Sequence, residues 1–247
     1  MKAMGNSIQT GGFENDDART LVFSFAGQGD GQLVGFEWVN FFKDKPVKVV
    51  NVRDCKRAYY MGNLHGDGFG GEKITRGVDA HVELFREIIK KSKCERVVMV
   101  GVSLGGYAAA LYGVLLNVDY ILPYSSQTFI REHPEFGRND RPHLAEWARR
   151  AASAEDQERY FDLTDLNYDN FTGEMHFHWC TSRRDARYAK HMEEFCKMYP
   201  KNKNDGDADK GDVIDIKIHD VTWKHSKLCG RLKNNGTLNK HFDVVIK

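Results

Sequence analysis

The sequence predicts an α/β fold: a three-layer α/β/α sandwich built on a mostly parallel sheet. Apolar runs of strand length alternate with segments of helical period, the rhythm of repeated βα units. The early runs are apolar throughout rather than at every second position, as strands covered by helices on both faces require. A Gly-x-Ser-x-Gly step between one such run and a small-residue helix belongs to the same plan.

In chain order, residues 1–18 (MKAMGNSIQTGGFENDDA) are polar, with no apolar stretch of signal-peptide type. They are expected to be a disordered tail ahead of a single domain over 19–247. Strands are expected at Leu21–Ala26, Val47–Val52, Arg96–Val100, Tyr120–Tyr124, Met175–Cys180 and Val213–His219. The last alternates Ile214, Ile216 and Ile218 with Asp215, Lys217 and His219, the pattern of an edge strand with one solvated face. A helix over Gly77–Ser92 places Val78, Val82, Phe85 and Ile89 on one stripe. Leu104–Leu116 is small and apolar almost all round, so it belongs at the centre of the fold. Charged helical sequence within 140–168 suggests a small helical cap inserted around 131–168. Further helices are expected at Ala186–Met198 and Lys227–Lys233, the second followed by a short tail.

Composition narrows the function. With 41% hydrophobic and 29% charged residues, the chain can fill a real core. A net charge of +1 supplies no global field for nucleic acid. No apolar run reaches the ~18 residues of a membrane span. Five widely spaced cysteines without a C-x-x-C pair read as reduced thiols of a cytoplasmic protein. No cofactor is expected. Gly66–Gly71 satisfies GxGxxG by letter but lacks the strand before and helix after that a dinucleotide needs, so it reads as a rim loop. No metal is expected either. Asp205–Asp212 imitates a Ca²⁺ loop with its glycine displaced and Ile216 at the twelfth position, and reads as a surface turn. His176 and His178 share a strand face without an evident third ligand. Arg53-Asp54, after the second strand, reads equally as a substrate contact or an ion pair.

The chemical signal is RVVMV-Gly101-Val102-Ser103-Leu104-Gly105-Gly106-YAAALYG: a strand, a sharp turn, a helix. Such a turn lifts the Ser103 hydroxyl above the sheet, and the glycines leave room where a Cβ would strike neighbouring backbone. The helix that follows aims its free amides at the same point. On these residues the chain resembles the α/β-hydrolase superfamily over about residues 20–247. The resemblance implies a compact α/β-hydrolase fold and a triad in the order Ser, acid, His. The acid then falls at Asp185, after strand 175–180, where a helix N-cap is the competing role. The base falls at His225, after the last strand, with His219 on the strand itself, His191 inside a helix and His241 near the end of the sequence. The oxyanion hole falls to the amides of Leu104 and of either Gly27 or Gln28, in the loop after the first expected strand. No substrate-binding residue can be named from the sequence.

The implied activity is serine hydrolysis of a carboxylic ester through an acyl-enzyme. Two alternatives stand beside it. FAGQGD (Phe25–Asp30) and GVSLGGYAAA (Gly101–Ala110) are similar to the FPGQGS and GHSLGEYAA segments of the malonyl-transacylase family, which moves acyl groups between thioesters. This chain departs from that pattern at Val102 and Gly106. The other alternative is a non-catalytic binding protein on the same fold. The general pattern is also similar to compact bacterial hydrolases found near polysaccharide pathways, which points to a small-molecule or glycan acyl ester.

Overall fold

The computed structural model describes residues 7–28, 35–36, 38–66, 73–139, 141–198, 214–219 and 228–246. Its seven-stranded sheet runs β1 (Ile8–Gly11), β3 (Lys48–Val52), β2 (Thr20–Phe25), β6 (Arg96–Val102), β7 (Tyr120–Tyr124), β8 (Glu174–Cys180), β9 (Ile214–His219). All neighbours are parallel except β1, which is antiparallel to β3. The six expected strands are present to within a residue or two at each end. A separate hairpin pairs β4 (Asn63–Gly66) with β5 (Lys73–Arg76).

The apolar runs are explained by burial on both sides. In β2, Leu21, Phe23 and Phe25 enter one hydrophobic cluster and Val22 the other; in β6, Val97 and Met99 oppose Val98 and Val100. The larger cluster also takes the apolar faces of α2 (Val78–Ser92), α3 (Leu104–Leu116), α4 (Pro142–Ala151), α5 (Ala154–Tyr160) and α6 (Arg183–Met198). The smaller lies under α1 (Val39–Phe42), α7 (Leu228–Asn234) and α8 (Thr237–Val245). The three layers are therefore as the sequence predicts. Helix α3 is buried on nearly every side, and Gly113 lets it settle onto Ile121 of β7.

Three expectations need correction. Residues 8–11 of the expected disordered tail form β1, because Ile8 packs into the larger cluster and Ile8–Gly11 pair with Val49–Val52. A four-residue edge strand is too short to show a period in sequence. The expected short tail after α7 contains α8, whose Leu238, Phe242 and Val245 close the smaller cluster. In β9 the solvated face is not the polar one throughout. Ile218 is 48% exposed, while His219 is half-buried against His178 of β8. The charged segment between β7 and β8 does form two helices and a 3-10 turn (Leu163–Asp165). It is tied to the core: the Tyr107 hydroxyl donates to the Tyr160 carbonyl, and Leu163 N–H donates to the Thr128 carbonyl at 2.9 Å.

Candidate active site

Ser103 sits between β6 and α3 with φ 55° and ψ −119°, a backbone conformation that costs a residue with a side chain on the order of 1–3 kcal/mol. Its surroundings enforce this. Ser103 N–H donates to the Tyr124 carbonyl at 2.8 Å, and its own carbonyl accepts from Tyr107 N–H at 3.1 Å. A Cβ at Gly101 would fall 2.8 Å from the Gly106 nitrogen, and closer still to the Gly105 carbonyl. A Cβ at Gly105 would fall 2.6 Å from the Ala26 carbonyl oxygen. The two motif glycines thus let strand, turn and helix press together, with the end of β2 packed on the first turn of α3.

That packing brings the loop after β2 to the helix N-terminus. Leu104 opens α3, and Gly27 and Gln28 follow Ala26 directly, so the three expected oxyanion residues lie on two adjacent segments. The loop is anchored from below. Ala26 N–H donates to the Val52 carbonyl at 2.9 Å, and the Tyr60 hydroxyl donates to the Ala26 carbonyl at 2.8 Å. Asp54 holds Tyr60 in turn, accepting the backbone N–H groups of Lys56, Ala58 and Tyr60 at 2.5–2.9 Å. Burial pushes its carboxyl pKa up while those amides pull it down. Asp54 thus fixes a loop whose Arg57, Tyr59 and Tyr60 have positive φ, and Arg53 lies over the Phe36 ring.

Gln127, which sequence reasoning missed, reaches the serine. Its Nε2 donates to Ser103 Oγ at 3.3 Å, and its buried Oε1 has no hydrogen-bond partner among the described residues. No periodicity or motif marks this residue; it reaches the site because β7 ends beside β6.

Asp185 lies in the first turn of α6, fully buried. Ser182, three residues earlier, caps it by accepting its N–H at 3.1 Å, so Asp185 is not the N-cap. Among the described residues, the Ser125 hydroxyl (2.8 Å), Cys180 N–H (3.2 Å) and the Cys180 thiol (3.1 Å) converge on Oδ2. Burial, with the carboxylate beside it, pushes the thiol pKa up, so it keeps the proton it donates. Ser103 and Asp185 thus leave the same edge of the sheet from β6 and β8, with β7 between them, a separation of roughly 10 Å at the strand ends.

His225 lies outside the described residues, as do Asp205–Asp212 and residues 67–71 of the glycine loop. The other late histidines are engaged elsewhere. His219 Nε2 is 3.0 Å from His178 Nδ1, and His241 Nδ1 is 2.9 Å from the Tyr124 hydroxyl. The Tyr124, His178 and His241 rings stack in sequence, with centroids 4.8 and 4.3 Å apart. Burial drives His178 well below its ordinary pKa and His241 to about 4, which keeps the stack neutral. His191 shares a hydrogen bond with Thr128, and His176 contacts Glu174 and Asp215.

No protein-family model matches the sequence, and no curated protein is detectably similar to it. Solved structures do match its shape. The capsule O-acetyltransferase of Neisseria meningitidis serogroup A superposes with a TM-score of 0.63 at 11% identity, over 92% of this chain and 87% of that one. MGS-MChE2, an α/β-hydrolase enzyme from the metagenome of sediments of the Mar Chica lagoon, Morocco, gives 0.54 at 16% identity over 96% and 94%. The fluorophosphonate-binding serine hydrolase FphF of Staphylococcus aureus gives 0.52 at 11% identity over 94% and 91%. The chain has the α/β-hydrolase fold. Within that fold Ser103 occupies the strand-to-helix turn, and Asp185 follows the strand two places along the sheet. No helix among the described residues of this α/β-hydrolase-fold chain is long and apolar enough to cross a membrane.

Proposed function

We propose that the chain is a serine enzyme that cleaves a carboxylic ester through an acyl-enzyme on Ser103. The carrying observation is the glycine-locked turn that holds Ser103 at φ 55°, its hydroxyl contacted by the Gln127 amide. In the proposed reaction His225, which follows β9 in the sequence, takes the hydroxyl proton as Oγ attacks the ester carbonyl. Asp185 orients the imidazole and stabilises its charged form. The amides of Leu104 and of Gly27 or Gln28 hold the oxyanion, and His225 returns the proton to the leaving alcohol. Water then opens the acyl-enzyme by the same route and regenerates Ser103. The span between β6 and β8 suits a bridging imidazole. The helical insertion around 131–168 serves as the cap, and the substrate is a small-molecule or glycan acyl ester.

A second reading keeps the acyl-enzyme but replaces water with another acceptor. The closer superposition on an O-acetyltransferase, at 0.63, than on MGS-MChE2, at 0.54, favours it. The deciding experiment is fluorophosphonate labelling with intact mass and peptide mapping, run beside Ser103→Ala. One adduct on Ser103, absent from the variant, is the expected result; a folded protein that takes no adduct would overturn both readings in favour of a binding role. Comparing acyl-ester loss with and without a hydroxylated acceptor then separates hydrolysis from transfer.

A further inference from the structure

One residue beyond Gln127, the chain enters a second cluster that the proposed reaction does not use. His133, Asp162 and His191 bring one ligand atom each to within 4.8 Å of one another. They come from three separate segments: a tight turn closed by the paired His133 and Gly137 backbones, the residue before the 3-10 turn, and the middle of α6. Asp162 and His191 are 1% and 4% exposed. Phe129 and Phe136 wall the cluster, with ring centroids 5.2 and 5.1 Å from that of His191.

Hydrogen bonding leaves one imidazole nitrogen of each histidine unclaimed among the described residues. His191 Nδ1 is held at 2.8 Å by the Thr128 hydroxyl, which directs Nε2 to within 3.6 Å of Asp162 Oδ1. That separation exceeds a hydrogen bond and lies a few tenths of an ångström beyond the roughly 3.3–3.4 Å edge between two ligands of one tetrahedral ion with bonds of about 2.0–2.1 Å, so a small closure would seat the ion. Asp162 Oδ1 accepts from Thr164 N–H and the Thr164 hydroxyl, at 3.0 and 2.7 Å. Among the described residues, no hydrogen bond is made by His191 Nε2, by His133 Nε2 or by Asp162 Oδ2.

We propose that His133, Asp162 and His191 form a binding site for one divalent transition-metal ion, such as Zn²⁺. Two imidazoles and one carboxylate are the donor set for such ions, with water completing the shell. The Thr128 hydroxyl fixes the His191 ring from behind, as outer partners of metal-bound histidines do. His133 Nδ1 accepts the N–H groups of Glu135 and Phe136 at 3.2 and 3.3 Å. Ligation through Nε2 requires a proton on Nδ1, so those two long bonds are given up and the affinity is modest. The ion would tie the inserted segment to α6 and, through Thr128, brace the strand end that carries Gln127. None of the three ligands takes part in the proposed reaction.

The test uses untagged full-length protein, stripped with a chelator and titrated with Co²⁺ and with Zn²⁺. The expected result is one equivalent bound, visible-region Co²⁺ bands, and a Tm raised by about 5–10 °C at a hundredfold excess over Kd. His133→Ala, the mildest change because its side chain is half-buried, and Asp162→Asn should each weaken binding by at least about 100-fold. Far-UV dichroism of each variant checks that it folds. Ser103→Ala should bind as the parent does, so failure of the catalytic reading leaves this result intact. No saturable binding, or binding that neither substitution alters, would overturn the proposal and leave a water bridging the three side chains.

Discussion

The chain makes two strand-to-helix turns at the same edge of its sheet, and they are built in opposite ways. The turn after β6 holds Ser103 in strained backbone, half-buried, its conformation imposed by glycines that admit close contact with β2. The turn after β8 holds Asp185 inside ordinary helix, fully buried, with Ser182 as cap and three donors on one oxygen. The proposed nucleophile has to project above the sheet, so a strained turn suits it. The proposed orienting carboxylate has to stay put and charged, and the donors on Asp185 favour both against the cost of its burial.

The sharpest way to break this contrast is at the serine. Ser103→Ala is expected to lower turnover by about 10⁴-fold or more while leaving Tm nearly unchanged. Ser103→Gly should be equally inactive yet more stable by about 1 kcal/mol, because glycine adopts φ 55° without penalty. Urea melts of the two variants check it; equal stabilities would mean the turn is not strained.

The same experiment on the other turn should behave differently. Asp185→Asn is expected to cost about 10³–10⁴-fold in kcat and also about 1–3 kcal/mol of stability, since its donors lose a charged acceptor. Parallel rate and melting measurements would show the two losses together. A stable, fully active variant would move the acid elsewhere, with Asp212 and Asp220 next.

Gly105→Ala tests the packing beneath the serine. Helix propensity alone would make alanine stabilising by about 1 kcal/mol. The clash with the Phe25 and Ala26 carbonyls is expected to reverse the sign and destabilise by about 2–4 kcal/mol, read from denaturant midpoints. The smallest effect is expected at Gln127. Gln127→Ala removes one donor to Ser103 Oγ and should reduce kcat/KM by about 10–100-fold with little change in Tm. Gln127→Glu, which keeps the size and loses the amide, should not restore it.

The two turns also differ in how far sequence could reach them. Apart from β2 and the Tyr124 carbonyl of β7, what shapes the serine turn is contiguous, from the apolar run of β6 through Gly101 and Gly105 into α3. A steric requirement met by neighbours along the chain leaves a readable motif. Asp185 could be placed only by order along the chain, because its hydrogen bonds come from Ser125 and Cys180 as well as Ser182. Gln127 carries no local signature at all. The expected disordered tail failed for a related reason: Ile8 is one apolar residue in a polar stretch, and only its pairing with Val52 makes it part of a strand.

What the sequence determined by itself was the layered α/β plan, six of the seven strands of the main sheet, the central helix and the strained serine, because each depends on periodicity or on sterics within a few residues. Only the tertiary structure decided which polar groups meet. It set Gln127 against Ser103, gave Asp185 its three donors, turned Asp54 into an anchor for the loop at Tyr60, and stacked Tyr124, His178 and His241. It also gathered His133, Asp162 and His191 from three segments. Those meetings depend on which strand ends lie side by side, and sheet order is fixed by the packing of the whole chain rather than by any stretch of it.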